Sequence, residues 1–278
     1  MTAASPSAGA LHEGWRASLR LTLRASHGRT VLAERAHEGP LVVQRPFYPE
    51  GPVCHLYLVH PPGGVAGGDH LSLQLVAQSG AQGVVTTPAA TKIYRSFGGR
   101  IARMEQHLEA TDSTLEWLPQ ETIVFRGARA RLSTQVSLSG RARFIGWEIL
   151  CLGRPASGER FDAGELHQDF GISVDGRPLW LDRLRLRGNE ATMSEPWGLG
   201  GEPVLGTLLA CPATPALLQS ARATCAEHTA CSLVDGVLLV RLRGSSGEAV
   251  RQEFERIWRA LRPAFTGLAA HAPRIWAT

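Results

Sequence analysis

The chain has 278 residues, 44% of them hydrophobic and 19% charged, with a formal net charge of +4, which is enough to bury a core in one large domain or two small ones. Its 30 Gly and 17 Pro are too many for a helical bundle and too few for a collagen-like or wholly disordered chain. No stretch reaches the roughly twenty apolar residues of a membrane span, and the opening MTAASPSAGALHEG has neither a basic start nor an apolar export segment, so the expectation is a soluble cytoplasmic protein with no membrane partner.

In chain order, residues 1–14 read as a flexible tail and residues 15–272 as one domain, with a β-rich body over 15–200 and a strand–helix–strand–helix region over 204–268. Strict alternation places Trp15, Ala17, Leu19, Leu21 and Leu23 on one strand face, then Leu71, Leu73 and Leu75, then Leu132, Thr134, Val136 and Leu138. Shorter runs at 41–43, 54–59, 83–86, 102–108, 122–125 and 144–152 are separated by Gly, Pro and Asp turns, the spacing of an all-β layered architecture. No helix of convincing length is predicted before about residue 213. A strand near 204–210 is then followed by a helix opened by Pro212 and Pro215 and running to about Glu227, and by a strand at 236–242. Ser245 with Glu248 predicts a capping box for a last helix, on which Val250, Phe254, Ile257, Trp258, Leu261 and Phe265 form an apolar stripe that should pack on a sheet.

The five cysteines form no CxxC pair, and a chain of this length needs no disulfide staples, so reduced thiols are expected. Lys92 is the only lysine, and the positive charge rests on arginine. Arg126, Arg129, Arg131, Arg141 and Arg143 lie in a stretch without an acid. Nucleic-acid binding through that stretch would need interleaved aromatic platforms; without them it reads as a solvated strand edge or a protein contact.

Four carboxylates carry the chemical interest. PPGGVAGGD (61–69) lacks the GK[ST] ending of a phosphate-binding loop and leads into a strand. Its glycines, Gly63, Gly64, Gly67 and Gly68, permit a sharp turn that Asp69 either closes by hydrogen bonds or presents as an oxygen ligand. Glu148 is the sole acid in FIGWEILCLG (144–153), a run apolar on both strand faces. A buried lone carboxylate is costly, so Glu148 must be protonated, paired with an arginine such as Arg95 or Arg154, or turned to a hydrated or metal-bearing cavity. Glu116 and Glu121 flank Trp117 in LEWLPQE and are either solvated or, with Asp69 and Glu148, weak oxygen ligands along a path for a hydrated divalent ion. No metalloprotease motif, nucleophile elbow or catalytic triad is present, which argues against an enzyme. TTPAATKIYRS (86–96) gathers Lys92, Tyr94 and Arg95 and reads as a contact surface; the alternative is a metal- or lysine-dependent enzyme acting on a small molecule.

These segments, PPGGVAGGD, TTPAATKIYRS, LEWLPQETIVF, GWEILCLGRPASGERF and RPLWLDR, together resemble the motifs of the urease accessory protein UreD family, called UreH in some organisms, in the right order over most of residues 30–190. Arg126 departs locally, where an acid or amide is expected after LPQE. The resemblance implies a mainly β fold of stacked, partly helically wound sheets with two helices in the C-terminal third. It implies a non-catalytic chaperone that binds apo-urease and recruits UreF and, through it, the GTPase UreG for nickel insertion. No cofactor is held tightly; Ni²⁺ passes transiently along an acid-lined passage, to which the resemblance assigns Asp69, Glu116, Glu121 and Glu148.

Overall fold

The computed structural model describes residues 14–277, so the 1–14 tail, apart from Gly14, lies outside the described residues. Eighteen strands follow in chain order: β1 (Arg16–Ser26), β2 (Arg29–Glu38), β3 (Val42–Val43), β4 (Cys54–Val59), β5 (His70–Ala77), β6 (Gln82–Thr86), β7 (Thr91–Ile93), β8 (Ala102–Thr111), β9 (Thr114–Trp117), β10 (Thr122–Val124), β11 (Arg129–Ser139), β12 (Arg143–Arg154), β13 (Glu159–Arg160), β14 (Glu165–Val174), β15 (Arg177–Arg187), β16 (Val204–Cys211), β17 (Ala230–Val234) and β18 (Val237–Gly244). Three α-helices accompany them: α1 (Glu190–Ser194), α2 (Pro215–Thr224) and α3 (Gly247–Thr266).

From β4 to β14 the chain winds between two sheets. In the smaller, seven-stranded sheet β1, β5, β8, β11 and β14 pair in parallel, with β2 and β15 added antiparallel at the edges. In the larger, eleven-stranded sheet β4, β6, β9 and β12 also run parallel. Each circuit thus adds one strand to each layer, producing the mainly β, stacked and helically wound architecture expected from the resemblance. Beyond β12 the larger sheet continues antiparallel through β16, β18 and β17.

Alternation is the local cause of these strands. Ala17, Leu19, Leu21 and Leu23 of β1 are buried, as are Leu71, Leu73 and Leu75 of β5; Leu19, Leu21, Leu23, Leu73 and Leu75 meet Leu56, Trp117 and Phe144 of the other sheet in one core, while Ala17 and Leu71 join a second with Leu150 and Leu152 of β12. Trp15, assigned by alternation to the same inner face, instead precedes the strand and is 58% exposed. The larger sheet is the middle layer, because α2 and α3 cover its other side through Trp147, Ile149, Leu208 and Val240. This explains why residues 144–152 are apolar on both faces: even positions face the small sheet and odd positions face the helices.

All six residues of the α3 stripe are buried, and so is Arg262, at 0% exposure, which the pattern did not single out. The helix starts one residue later than predicted. Ser246, not Ser245, accepts the Ala249 N–H at 3.1 Å, while Glu248 accepts from Gln252 instead of closing a capping box. Ser246→Ala is expected to cost about 1 kcal/mol in urea unfolding, and Ser245→Ala to leave the midpoint unchanged; the reverse order would overturn this assignment. The preceding helix ends at Thr224, short of Glu227, because Cys225 leaves the helical conformation and the chain turns into β17.

Candidate functional site

The two sheets do not close on each other everywhere. Between them lies a cavity of about 340 Å³, walled by Leu58, Leu71, Leu73, Trp117 and Leu132, with Glu148 projecting into it from β12. Because β9 and β12 pair with Glu116 opposite Ile145, Glu148 shares its face with Phe144 and Gly146 and points toward the small sheet. Thr134 of β11 and Gln168 of β14 hydrogen-bond its two carboxyl oxygens, and Thr134 also lies 2.8 Å from Gln106 Oε1 on β8. Neither Arg95 nor Arg154 neutralises it; Arg154 pairs with Glu159 at 2.7 Å.

Burial raises the Glu148 pKa to about 7; Thr134 and Gln168 pull it down, and the charge of Asp182 adds to the rise. Proton counting explains the arrangement. Neutral Glu148 can donate to Thr134, whose single hydroxyl proton then goes to Gln106 Oε1. Ionised Glu148 needs that proton itself, and satisfying Gln106 then requires its amide to turn round. Thr134 was legible only as one polar residue on an apolar strand face; Gln106 and Gln168 had no signal in the sequence.

The other three acids lie elsewhere. Asp69 is 8% exposed and closes the glycine turn, accepting the Trp15 N–H at 2.8 Å and the Ala66 N–H at 2.7 Å. Glu121 is outside the cavity wall, beside Gly247 at the N-terminus of α3, where the helix dipole favours a carboxylate. Glu116 faces the helical layer, 2% exposed, and accepts hydrogen bonds from Trp258 Nε1 (2.6 Å) and Arg262 Nε (3.0 Å). Among the described residues, no group of three or more His, Cys, Asp or Glu side chains is placed to hold a metal ion together.

Arg262 is therefore the centre of a second polar cluster, one that the sequence did not indicate. Its guanidinium also reaches Glu50 at 2.7 and 2.8 Å and the Ala269 carbonyl, while His55 Nε2 lies 2.6 Å from Glu50 Oε1. Burial pushes Glu50 up, but His55 and Arg262 outweigh it and hold its pKa below the usual value. At fully enclosed Glu116 burial wins over Arg262 and raises the pKa.

The glycine turn and the 86–96 segment meet at the mouth of the cavity. Val65 N–H bonds the Lys92 carbonyl at 2.7 Å, Tyr94 N–H bonds the Val65 carbonyl at 2.9 Å, and Gly63, Gly64 and Lys92 line the opening with His60. A Cβ on Gly64 would stand 2.4 Å from the Tyr94 ring, so only glycine allows that approach; Gly68, at φ +102°, takes a conformation that side chains resist. Gly67 approaches the Arg100 carbonyl almost as closely. Both ring nitrogens of His60 are buried without a partner among the described residues, and burial lowers its pKa against the opposing pull of Asp69. Beyond the mouth, Tyr94 packs edge-on against Phe125, Arg95 lies over Phe97, and Phe97 is 75% exposed. No helix among the described residues is long and apolar enough to cross a membrane.

A family model described as UreD urease accessory protein matches residues 15–277. The chain is similar to proteins named urease accessory protein UreD from Dechloromonas aromatica (46% identical, covering 95% of each chain), Alkalilimnicola ehrlichii (43%, covering 99% of this chain and 95% of the relative) and Klebsiella aerogenes (42%, covering 96% and 98%).

Proposed function

We propose, since the chain belongs to the UreD urease accessory protein family and so has a role in urease maturation, that it acts as a non-catalytic adaptor which binds apo-urease, recruits UreF and through it the GTPase UreG, and lets Ni²⁺ pass as cargo during insertion. The observation that carries this reading is the hollow between the sheets, whose mouth adjoins exposed Tyr94 and Phe97 and into which Glu148 projects, a carboxylate not neutralised by an arginine. A mouth beside an apolar contact surface suits transfer from a docked partner into the protein. Of the four acids, Glu148 alone lines the hollow, with Gln106 and Gln168 as further oxygen donors; Asp69 closes the turn beside the mouth, and Glu116 and Glu121 lie on the far side of the middle sheet. Lys92, Tyr94 and Arg95 belong to the contact surface. Oxygen donors of this kind hold a divalent transition ion weakly, as a route requires.

Co-expression tests the two duties separately. The wild-type chain should co-purify with apo-urease and with UreF, and Phe97→Asp with Tyr94→Asp should weaken at least one of these complexes by about tenfold or more, aromatic anchors being the usual centres of such interfaces. Glu148→Ala should keep both complexes but lower urease activation under limiting nickel. Failure to retain either partner overturns the adaptor reading; full activation by Glu148→Ala overturns the route.

A further inference from the structure

The outer face of the seven-stranded sheet carries a row of basic side chains that strand pairing assembles from six distant points of the chain. In register across β1, β5, β8, β11, β14 and β15 stand Arg16, His70, Arg103, Arg131, His167 and Arg185, each directly opposite the next. At the usual strand spacing the row is about 24 Å long. It lies on the side away from the cavity, and Arg16, Arg131 and Arg185 are exposed.

Acids serve only part of this row. His70 is 3.2 Å from Glu105, His167 is 2.9 Å from Glu165, and Arg185 is 2.8 Å from Asp169. Arg103 and Arg131, adjacent at its centre, have no ion pair among the described residues, nor has Arg16. Like charges directly opposite each other in a sheet are unfavourable, and the flanking positions do not correct the balance: Arg129, Arg183 and Arg187 stand there against Glu105, Asp169 and Glu165. The surplus is cationic and linear.

We propose that this row is a docking surface for the acidic face of an α-helix from a partner protein, lying across the strands. A helix that carries one carboxylate per turn repeats every 5.4 Å or so, against about 4.8 Å between strands, so successive acids meet successive strands within the reach of an arginine side chain. An extended acidic segment repeats on one face at about 6.6 Å and loses register sooner. Neither the row nor its flanking positions contain a Phe, Tyr or Trp ring, and the row's two imidazoles are engaged by Glu105 and Glu165, so a nucleic acid would find charge but little platform for its bases. This surface is independent of the cavity and of the contact residues around its mouth.

Fluorescence anisotropy tests the proposal with the full chain and four labelled probes: an alanine-rich helical peptide of about twenty residues with glutamates spaced alternately three and four residues apart along one face, a proline-broken peptide of the same composition, a single-stranded oligonucleotide of about twenty nucleotides, and phosphatidylserine vesicles. The helical peptide should bind best, weaken as salt rises from about 0.05 to 0.3 M, and lose about five- to tenfold in affinity in R103Q/R131Q, with R177Q on the same sheet as an unaffected control. Circular dichroism of R103Q/R131Q should match the wild type, since neither side chain has a hydrogen-bond or ion-pair partner among the described residues. Equal binding of the broken peptide, tighter binding of the oligonucleotide or vesicles, or no loss in R103Q/R131Q would each overturn the proposal.

Discussion

Replacing Arg262 by methionine is expected to destabilise the protein by about 3–5 kcal/mol, the usual cost of stranding buried charges. Among the described residues the guanidinium is the only cation that both Glu50 and Glu116 touch, and it also binds the Ala269 carbonyl, so it joins α3, the C-terminal segment, β9 and the loop before β4. Without it, Glu116 stays enclosed with Trp258 as its remaining donor, and Glu50 keeps only His55. Both carboxylates must then take up protons or remain charged in an apolar setting, so the loss should grow as pH rises above the carboxylate range. In the wild type the two acids oppose each other. Glu50, with its pKa held low, contributes stability that is lost as pH falls through its folded value; Glu116, with its pKa raised, costs stability as pH rises. Urea denaturation of Arg262→Met, followed by the triple variant with Glu50→Gln and Glu116→Gln, checks the cause. Recovery of a substantial part of the loss in the triple variant is expected, and a triple variant as weak as the single one would show that lost packing, not stranded charge, is responsible.

Glu148→Gln is expected to stabilise the protein by roughly 3 kcal/mol at pH 8 and by almost nothing at pH 4, from the conversion of a pKa shift to free energy. The sign follows from the raised value: with a pKa of about 7 against an ordinary 4.5, the folded chain retains a proton that the unfolded chain releases. Stability therefore falls as pH climbs from about 4.5 to about 7, and the penalty is complete above that window. The amide keeps a donor and an acceptor for the Thr134 and Gln168 positions but has no charge to bury. Denaturant midpoints measured at pH 4, 6 and 8 should converge at the acid end and separate at the alkaline end; parallel curves for the two proteins would mean that Glu148 is ionised at little cost. A destabilised carboxylate kept at the wall of a cavity is the pattern of a group retained for something other than stability.

The strands whose inner faces are apolar were readable because their pattern is local: each of β1, β5 and β11 has its alternation written in its own residues, and β12 showed as a continuous apolar run. A mostly exposed strand such as β2 shows little of that period, because burial was not there to impose it. The amphipathic stripe of α3 was equally readable, whereas Arg262 was not, since its partners Glu50 and Glu116 reach it only after the helix has packed. Glu148 drew notice as an acid in an oily strand, and its partners could not be known before β8, β11 and β14 were laid opposite it.

By itself the amino-acid order determined a β-rich, turn-punctuated chain ending in a helix with one apolar side, and it marked Glu148 as an acid in need of an explanation. Only the tertiary structure decided which acids meet. Glu116 and Glu148 lie on paired parallel strands yet face opposite layers, because the register sets Glu116 beside Ile145 and gives Glu148 the other side of the pleat. Register in the seven-stranded sheet likewise gathers six basic residues from across the chain into one line. Side-chain period is a property of each strand, whereas register and layer order arise only when distant strands pair and pack, so the chemistry of the interior had to wait for the fold.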